Sequence, residues 1–398
     1  MSAWNAVAKL DPFKTRIDEE VSSPPPPDQE WRFADEGGTA WVFHAEGRRH
    51  LARPVILSDG FHGGPTVLND AIHNLEFAGY PFLSELRREG YDLIILGYQD
   101  CAASILDNAR AATACVKKAI AERRGEAKLA VGGFSMGGII TRYALAAMEH
   151  DEDDHQTGTY ISYDSPHHGA WLPVAVQAFA HWVAEKFEGA DGFSKLVDSP
   201  AARQLLEYHV AAFGEAPRVD PLRREFLAKL TEVGSWPKGL RKIGVANGTG
   251  DGMPNGVPPG EKALITSPPD LITLYTQESG AGRLVANVFG EEKRTDDLPM
   301  ADGAPGGLLD FFRQVAQAVN DINLGISAEA VYPWTSFVPS ISAMAAKTDR
   351  PWDNENLYGE LANLASEFDD FKFADIDERH TDVTEDLCTW IIKEIGEA

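Results

Sequence analysis

Residues 128–150 read KLAVGGFSMGGIITRYALAAMEH, and this stretch decides the fold. The apolar run 128–134 is typical of a buried strand, and the small and apolar residues after Met136 favour a helix. Between the two, GFSMG sets Ser135 on a tight strand-to-helix turn, where flanking glycines avoid clashes with neighbouring backbone. Such a turn lifts the hydroxyl above the sheet, next to a helix N-terminus that stabilises negative charge. The motif therefore predicts a nucleophilic serine; the alternative is a glycine-rich turn in which Ser135 is a bystander.

Strand-like and helical segments alternate on both sides of this turn. The strand-like runs are residues 30–35, 39–45, 53–58, 91–97, 128–134, 159–163 and 241–247. Helical segments are predicted at residues 67–89, 103–123, 138–150 and 385–397. This alternation predicts right-handed βαβ crossovers and an α/β fold with a mostly parallel central sheet flanked by helices. Two later runs, 271–277 and 283–289, predict a hairpin at the margin of that sheet.

The chain divides into three parts where this alternation is absent or interrupted. Residues 1–29, which contain four consecutive prolines, are predicted to form an N-terminal arm. Residues 30–168 and 239–398 are expected to form the core, and residues 169–238 a helical insertion rich in tryptophan and phenylalanine. An insertion between two core strands can act as a cap or lid, although an ordinary helical subdomain fits the same pattern.

A general base for Ser135 is expected late in the chain. Where a serine stands on such a turn, the usual chain order is serine, acid, histidine, which argues against the early His62. The histidines after the serine are His150, His155, His167, His168, His181, His209 and His380. Of these, His380 alone follows the last core strand and precedes the terminal helix. It is therefore the predicted base, with an exposed loop histidine as the alternative.

Two aspartates follow neighbouring strands and could orient His380. Asp251 comes soon after the strand-like run 241–247, and Asp164 ends the run 159–163. Either carboxylate could hold the imidazole in the right tautomer and stabilise the imidazolium. Asp251 is slightly preferred, and the unused aspartate is expected to cap a loop by bonding its backbone.

A developing oxyanion needs two backbone N–H donors close to the serine. One is expected from Met136, which directly follows Ser135. The other is expected from the glycine loop at residues 59–64, which reads DGFHGG. Phe61 is the best candidate there, because the residue after the first glycine normally turns its N–H inward.

GFSMG and a second motif, SPHHG at residues 165–169, carry a family resemblance. Together they are similar to the α/β-hydrolase lipases and esterases with a T/S-P-H-x-G signature. That group includes lecithin–cholesterol acyltransferase-like, GPI inositol-deacylase-like and bacterial lipases. The resemblance implies an α/β-hydrolase fold with Ser135 as nucleophile and His380 as base. One departure is Asp59-Gly60, where many members have His-Gly, so the loop must be anchored differently.

These features predict a serine ester hydrolase of the carboxylesterase or lipase type, working through a Ser-His-Asp triad and an acyl-enzyme. The aromatic-rich insertion suggests a small-molecule or lipid-like ester with an apolar acyl or aryl group. The alternatives are an acyltransferase, thioesterase or cyclase with the same triad, and a catalytically inactive hydrolase fold that serves for binding.

The composition narrows the range of partners. The 398 residues include 61 Asp and Glu against 36 Lys and Arg, a net charge of −25. Such a field repels nucleic acid and anionic membrane surfaces. The three cysteines and the histidines form no recognisable ligand motif, so neither a metal nor a cofactor is expected. Neither a signal peptide nor an apolar stretch long enough to span a bilayer is seen, so we expect a cytoplasmic protein without integral membrane association.

Overall fold

The computed structural model describes residues 4–14 and 25–397. The strands, in chain order, are β1 (Gln29–Phe33), β2 (Gly38–Phe43), β3 (Pro54–Ser58), β4 (Asp92–Tyr98), β5 (Leu129–Phe134), β6 (Thr157–Tyr163), β7 (Arg241–Ala246), β8 (Lys262–Ser267), β9 (Ile272–Tyr275), β10 (Arg283–Val288), β11 (Glu291–Thr295), β12 (Gly306–Leu309), β13 (Ser327–Ala330), β14 (Thr335–Pro339) and β15 (Asp370–Phe373). The helices are α1 (Asn5–Ala8), α2 (Leu68–Ile72), α3 (Phe82–Arg88), α4 (Ile105–Glu122), α5 (Met136–His150), α6 (Val174–Lys186), α7 (Gly192–Val197), α8 (Pro200–Leu205), α9 (Pro221–Glu232), α10 (Phe311–Asn320), α11 (Ser340–Ala343), α12 (Asn354–Leu357) and α13 (Glu385–Gly396).

Eight of these strands form the central sheet, in the order β1-β2-β4-β3-β5-β6-β7-β15. β2 runs antiparallel to β1 and β4. The remaining neighbours, from β4 through β3, β5, β6 and β7 to β15, are parallel. β3 and β4 are buried along their whole length, because helices cover both faces of the sheet. This order, with one antiparallel strand in second place, is that of the α/β-hydrolase fold, so the predicted fold class is confirmed.

The hydrophobic core has two parts, one on each face of the central sheet. Alternate side chains of β4 point to opposite faces, as the pleat of a strand requires. Ile94 and Leu96 join the cluster that contains α4 and α5, whereas Leu93 and Ile95 join the cluster that contains α3 and α13. The terminal helix thus covers one face of the sheet and brings the chain before it back across the strand ends.

The predicted helix at residues 67–89 is broken into three pieces. It consists of α2, a π-helical turn at His73–Phe77, and α3. The break falls at Gly79–Pro81, where a proline cannot supply the backbone N–H that continues a helix. Gly79 also packs closely against the carbonyl of Val383, so that a Cβ there would overlap it.

A second sheet lies between β7 and β15 in the chain. Its order is β11-β10-β9-β8-β13, all antiparallel. The runs predicted as a marginal hairpin do pair, as β9 and β10, but they sit inside this separate sheet and not at the margin of the central one. The reason is the apolar face of α10, whose Phe312 and Val315 are buried in one cluster with Ile272 and Leu274 of β9. That face packs the five strands onto the core cluster that also covers one face of the central sheet.

Residues 169–238 contain α6, α7, α8 and α9, and the N-terminal segment packs against them. Trp4 stacks on Phe187 with ring centroids 4.6 Å apart, and it also meets Phe179 and Trp182. Of the arm predicted at residues 1–29, residues 1–3 and 15–24 lie outside the described residues. In the described part of the chain, no helix combines the length and apolarity that crossing a bilayer demands.

Replacing Trp4 by alanine tests this docking of the N-terminal segment. The ring is 3% exposed and surrounded by aromatic side chains, so Trp4→Ala should lower the free energy of unfolding by about 3–5 kcal/mol. Leu324→Ala, at a side chain 59% exposed, is the control and should change it by no more than about 0.5 kcal/mol. Both values come from denaturant unfolding. Equal stability of the two variants would mean that the segment is not docked in solution.

Candidate active site

Ser135 stands on a strained turn between β5 and α5. Its backbone has φ 52° and ψ −126°, a conformation that a residue with a side chain adopts only when its surroundings enforce it. The enforcing contacts are close ones. A Cβ at Gly133 would overlap the backbone of Gly137, and a Cβ at Gly137 would overlap the carbonyl of Ser58. The two glycines of GFSMG are therefore required by the approach of neighbouring backbone.

His380 and Asp164 are hydrogen-bonded to each other. His380 Nδ1 lies 2.7 Å from Asp164 Oδ2, and the two residues are 7% and 0% exposed. Asp164 follows β6 directly, and its other oxygen, Oδ1, accepts a hydrogen bond from the amide of Asn247 at 3.2 Å. The edge of the Phe337 ring packs on the imidazole at a centroid distance of 5.0 Å. The His380 imidazole and the Asp164 carboxylate are thus each held by more than one contact.

Backbone hydrogen bonds fix the position of His380 in the loop between β15 and α13. Its amide donates to the carbonyl of Leu308 at 2.8 Å, and the amide of Leu308 donates to Glu378 at 2.9 Å. Gly307, the preceding residue in β12, lies against both members of the pair. A Cβ there would overlap Asp164 Oδ2 and come within 3.2 Å of the His380 Cα. Because any larger residue at position 307 would overlap the carboxylate, the His380–Asp164 pair requires glycine there.

The preferred acid candidate, Asp251, makes no hydrogen bond or ion pair with His380 in the described part of the chain; the aspartate that meets His380 is the alternative, Asp164. The Oδ1 of Asp251 accepts hydrogen bonds from the Met253 amide at 3.0 Å and the Thr249 hydroxyl at 2.8 Å. These two bonds lower the pKa of Asp251, whose side chain faces solvent. The carboxylate caps its own loop, as short polar side chains do in turns. At the end of β7 it is Asn247 that faces the pair.

The geometry also assigns the proton on the neutral His380 ring. A carboxylate can only accept, so Nδ1 carries the hydrogen that bonds to Asp164, and Nε2 carries the lone pair. Nε2 is buried and has no hydrogen-bond partner among the described residues. Ser135 and His380 line the same pocket. The nucleophile and base candidates are thus neighbours on one pocket, without a hydrogen bond between them in this arrangement.

The glycine loop after β3 packs directly on the serine turn. A Cβ at Gly60 would lie 3.2 Å from the Cβ of Ser135, so the loop could not come this close with a larger residue. Phe61 follows and lines the pocket. Met136 is the first residue of α5, where backbone N–H groups have no acceptor within the helix. Of the two residues predicted to supply oxyanion donors, Met136 thus follows Ser135 directly and Phe61 follows Gly60, which lies against Ser135.

A partly buried ion pair anchors this loop and accounts for its departure from the His-Gly pattern. Asp59 accepts from the Gly60 amide at 2.8 Å, from Thr66 Oγ1 at 2.6 Å and from His62 Nε2 at 3.1 Å. Burial opposes both charges. Hydrogen bonds and charge outweigh it. His62, Thr66 and Gly60 lower the pKa of Asp59. Asp59 together with Cys101 raises the pKa of His62 to about 11. His62, set aside as a base by its place in the chain, is here a cation bound to Asp59.

The histidines of SPHHG are structural contacts away from the pocket. His167 Nε2 meets Ser162 Oγ at 2.9 Å, and burial keeps the pKa of His167 well below its ordinary value. His168 Nε2 donates to the carbonyl of Ala346 at 2.8 Å. Both hold the start of the insertion to the sheet and to the segment after α11.

The pocket beside Ser135 is mostly apolar and has about 880 Å³ of empty space, its open mouth included. Its apolar wall comes from the strands and loops of the core, from Phe337 of β14 and from Phe13 of the N-terminal segment. Phe13 packs edge-on against Phe61 at a centroid distance of 4.8 Å. Behind these rings lies a smaller apolar cavity lined by the insertion residues Leu172, Val197 and Leu205. Neither Phe13 nor Phe337 was predicted to line the pocket, because their side chains reach it only through long-range packing.

Comparisons with known proteins give a faint structural likeness. No protein-family model matches the chain, and no curated protein matches it. Similar solved structures include the mature form of Bacillus licheniformis lipase BlEst2, with 15% identity, 56% of this chain and 73% of that chain covered, and a TM-score of 0.32. Others are a Pyrobaculum calidifontis esterase (14%, 55% and 75%, TM-score 0.32) and a soluble variant of Saccharomyces cerevisiae monoglyceride lipase (13%, 58% and 80%, TM-score 0.32). The fold assignment rests on the strand order of the sheet.

Asp59→Asn should change the titration of His62. The wild-type imidazole is expected to keep its proton to about pH 11. In the variant the stabilising charge is gone while burial persists, so the pKa should fall below the ordinary value for histidine. The measurement is an NMR titration of the histidine side chains, with His62→Gln to assign the signal.

The same ion pair predicts how stability depends on pH. The unfolded chain releases the His62 proton near pH ~6.5, whereas the folded protein keeps it to about 11. This contribution is full below the lower value and is lost as the pH rises through the higher one. Denaturant unfolding across that range should show a steeper decline for the wild type than for Asp59→Asn. Parallel curves and an unchanged titration would rule out the ion pair.

Proposed function

We propose that the protein is a serine hydrolase that cleaves carboxylic esters, with Ser135 as nucleophile, His380 as general base and Asp164 as the acid. The observation that carries this proposal is the 2.7 Å hydrogen bond between His380 Nδ1 and Asp164, which leaves Nε2 as the ring's available base; His380 and Ser135 line the same pocket. A serine on a strained strand-to-helix turn, a free imidazole nitrogen and a carboxylate behind it are the three parts of a nucleophilic triad.

The reaction begins when the Ser135 hydroxyl attacks the ester carbonyl. His380 Nε2 takes the hydroxyl proton, and Asp164 stabilises the imidazolium that forms. The carbonyl oxygen becomes an oxyanion, which the amides of Phe61 and Met136 receive; losing one such donor raises the barrier by about 3–4 kcal/mol. His380 then protonates the leaving alkoxide, and an acyl-enzyme remains.

Water completes the cycle by the same steps. His380 takes a proton from the water as its oxygen attacks the acyl carbonyl, and the second oxyanion forms at the same two amides. Collapse of this intermediate returns the proton to Ser135 and releases the carboxylic acid. Because no step moves an electron to or from the protein, no redox group takes part.

The shape of the pocket favours esters with an apolar acyl or aryl group. Its wall consists mainly of aromatic and aliphatic side chains, and a second apolar cavity continues behind Phe61 into the insertion. Apolar pockets with a few convergent polar groups are typical of small-molecule sites. We further propose that the insertion, residues 169–238, acts as a cap through the smaller cavity that it lines, since, in the described part of the chain, none of its residues lines the pocket of Ser135 itself.

Ser135→Ala should abolish hydrolysis of p-nitrophenyl esters from acetyl to palmitoyl. The alanine removes the attacking oxygen and leaves the fold intact, so activity should fall to the background rate and labelling by a fluorophosphonate should disappear. Ser327→Ala, on an outer strand of the second sheet, serves as the control and should keep both. Wild-type labelling without hydrolysis would indicate an acyltransferase that lacks its acceptor. Wild-type protein that neither labels nor hydrolyses would leave a binding protein as the function.

A matched pair of variants separates the two aspartates. Asp164→Asn should lower kcat by about 10⁴-fold near neutral pH, because the amide no longer holds His380 in the productive tautomer. Asp251→Asn should leave kcat within about twofold of the wild type, since its carboxylate caps a surface loop. Initial rates on the best p-nitrophenyl ester give both numbers. The reverse ranking would assign the acid to Asp251.

A further inference from the structure

Three metal-binding side chains converge in the insertion, outside the pocket of Ser135. His181 lies on α6, Asp198 directly follows α7, and His209 lies between α8 and α9. One donor atom from each lies within 4.8 Å of the other two. His209 Nε2 is 3.1 Å from Asp198 Oδ1, and His181 Nδ1 is 3.9 Å from Asp198 Oδ2. Two imidazoles and a carboxylate form a ligand set typical of zinc.

The donor atoms lie close enough together to surround one cation. Bonds of about 2.0–2.1 Å from zinc to nitrogen and oxygen place neighbouring donors about 3.3 Å apart. Asp198 Oδ1 lies 3.1 Å from His209 Nε2, and Asp198 Oδ2 lies 3.9 Å from His181 Nδ1, so small side-chain movements bring one donor atom of each residue to that spacing. Both imidazoles are buried, at 3% and 2% exposure, whereas the Asp198 side chain is 42% exposed. The open side at Asp198 lets a water molecule reach the fourth position.

His209 Nε2 is an unpaired polar atom inside this cluster. It is buried and makes no hydrogen bond with the described residues, although Asp198 Oδ1 lies 3.1 Å away. The two atoms thus come close without the alignment that an N–H···O hydrogen bond requires. Leaving a buried polar nitrogen unpaired is costly, and a cation between the nitrogen and the carboxylate removes that cost.

A second carboxylate lies near the other nitrogen of the His209 ring. Asp220 Oδ2 lies 3.5 Å from His209 Nδ1, on the side away from Asp198, and is itself held by Arg203 at 3.1 Å. Metal-binding histidines commonly turn their other nitrogen towards a carboxylate, which fixes the tautomer and leaves the first nitrogen free for the metal. In the present arrangement Ser194 Oγ lies 2.8 Å from His181 Nδ1, and this hydroxyl turns away when Nδ1 binds a cation.

The backbone around His209 is fixed to the same helix that carries His181. Gln177 lies one helical turn before His181, so the two side chains share a face of α6. Its Nε2 donates to the carbonyl of Tyr208 at 3.0 Å, and its Oε1 accepts from the amide of Val210 at 2.9 Å. The residues on both sides of His209 are therefore clamped, and the ring faces His181 at a centroid distance of 6.5 Å.

We propose that His181, Asp198 and His209 bind a Zn²⁺ ion, with water as the fourth ligand. The ion ties α6 to the end of α7 and to the chain before α9. Val197, next to Asp198, lines the apolar cavity behind Phe61, so the ion also fixes one wall of that cavity. This site departs from the expectation of no metal, which considered only compact sequence motifs; these ligands are widely and irregularly spaced.

A second cluster, Asp59, His62 and Cys101, also has donor atoms close together. There the Asp59 Oδ2 already accepts hydrogen bonds from His62 and Thr66, and its other oxygen accepts from Gly60. Its polar atoms are satisfied without an ion. The comparison therefore favours the insertion, and His62→Gln provides a control that reports on the other cluster.

Equilibrium dialysis of the full chain with Zn²⁺ tests the proposal. The purified protein is stripped with a chelator, dialysed, and its bound zinc measured by mass spectrometry; Co²⁺ absorption spectra report the coordination geometry. The wild type should bind one equivalent of Zn²⁺, give the intense visible bands of tetrahedral Co²⁺, and melt at a higher temperature with Zn²⁺ than without it. Asp191→Asn, which changes another solvent-facing acid of the insertion, should behave in the same way.

Variants of the cluster should rank by their distance from the ion. Asp220→Asn should weaken zinc binding about 10- to 100-fold, as the loss of an outer carboxylate does. Asp198→Asn and His209→Gln should weaken it by more than that. The proposal is overturned if the wild type binds no stoichiometric zinc, if the ligand variants bind like the wild type, or if His62→Gln is the variant that loses the ion. The wild-type Co²⁺ spectrum decides the question even if a ligand variant fails to fold.

Discussion

The hydrogen bond between Asp164 and His380 is the constraint on which the rest of the candidate site depends, because it joins residues 216 positions apart in the chain. It forms only when β6, β7 and β15 lie side by side, so that the loops beyond them meet. It also needs β12, whose Leu308 carbonyl holds the His380 amide and whose Gly307 leaves room for the carboxylate. Hydrogen bonds of this kind are worth little alone, but burial makes their loss expensive. The pairing of these strands therefore holds Asp164 against His380, and their hydrogen bond orients the imidazole.

The serine and the aspartate are coupled through the same strand pair. Phe134 of β5 is paired with Tyr163 of β6, and the Ser135 amide donates to the Tyr163 carbonyl at 2.9 Å. Ser135 and Asp164 therefore each follow a paired residue, and both have positive φ, at 52° and 47°. Such conformations cost of order 1–3 kcal/mol each and persist only where neighbouring structure enforces them. Here the enforcement is shared, since the register that positions one strained residue also positions the other.

Short sequence patterns predicted the local structure. They did not identify which distant residues or strands contact each other. GFSMG lies in a strand-turn-helix context that depends on fewer than thirty consecutive residues, so the turn, its flanking elements and the alternation of strands and helices could be read directly. The acid could not: Asp164 and Asp251 both follow neighbouring parallel strands, and only the direction of each side chain distinguishes them. The runs around β9 and β10 likewise indicated strands but not the sheet they join, because strand pairing is a long-range choice. Helix α10, whose apolar face decides it, lies further along the chain.

The N-terminal segment also reaches the candidate site through long-range contacts. Asp11 Oδ2 accepts from the Gly63 amide at 2.8 Å, Lys14 pairs with Asp70 at 3.4 Å, and Phe13 fills the space between Phe61 and Phe337. The glycine loop is therefore held by two carboxylates, Asp59 from within and Asp11 from the segment above it. A loop with many glycines has high conformational freedom, and an oxyanion site needs its amides fixed before the reaction begins. The carboxylates of Asp59 and Asp11 restrain this short loop, and Asp11 lies before the first strand of the sheet. The glycine loop is thus fully preorganised only when the N-terminal segment is docked on the core.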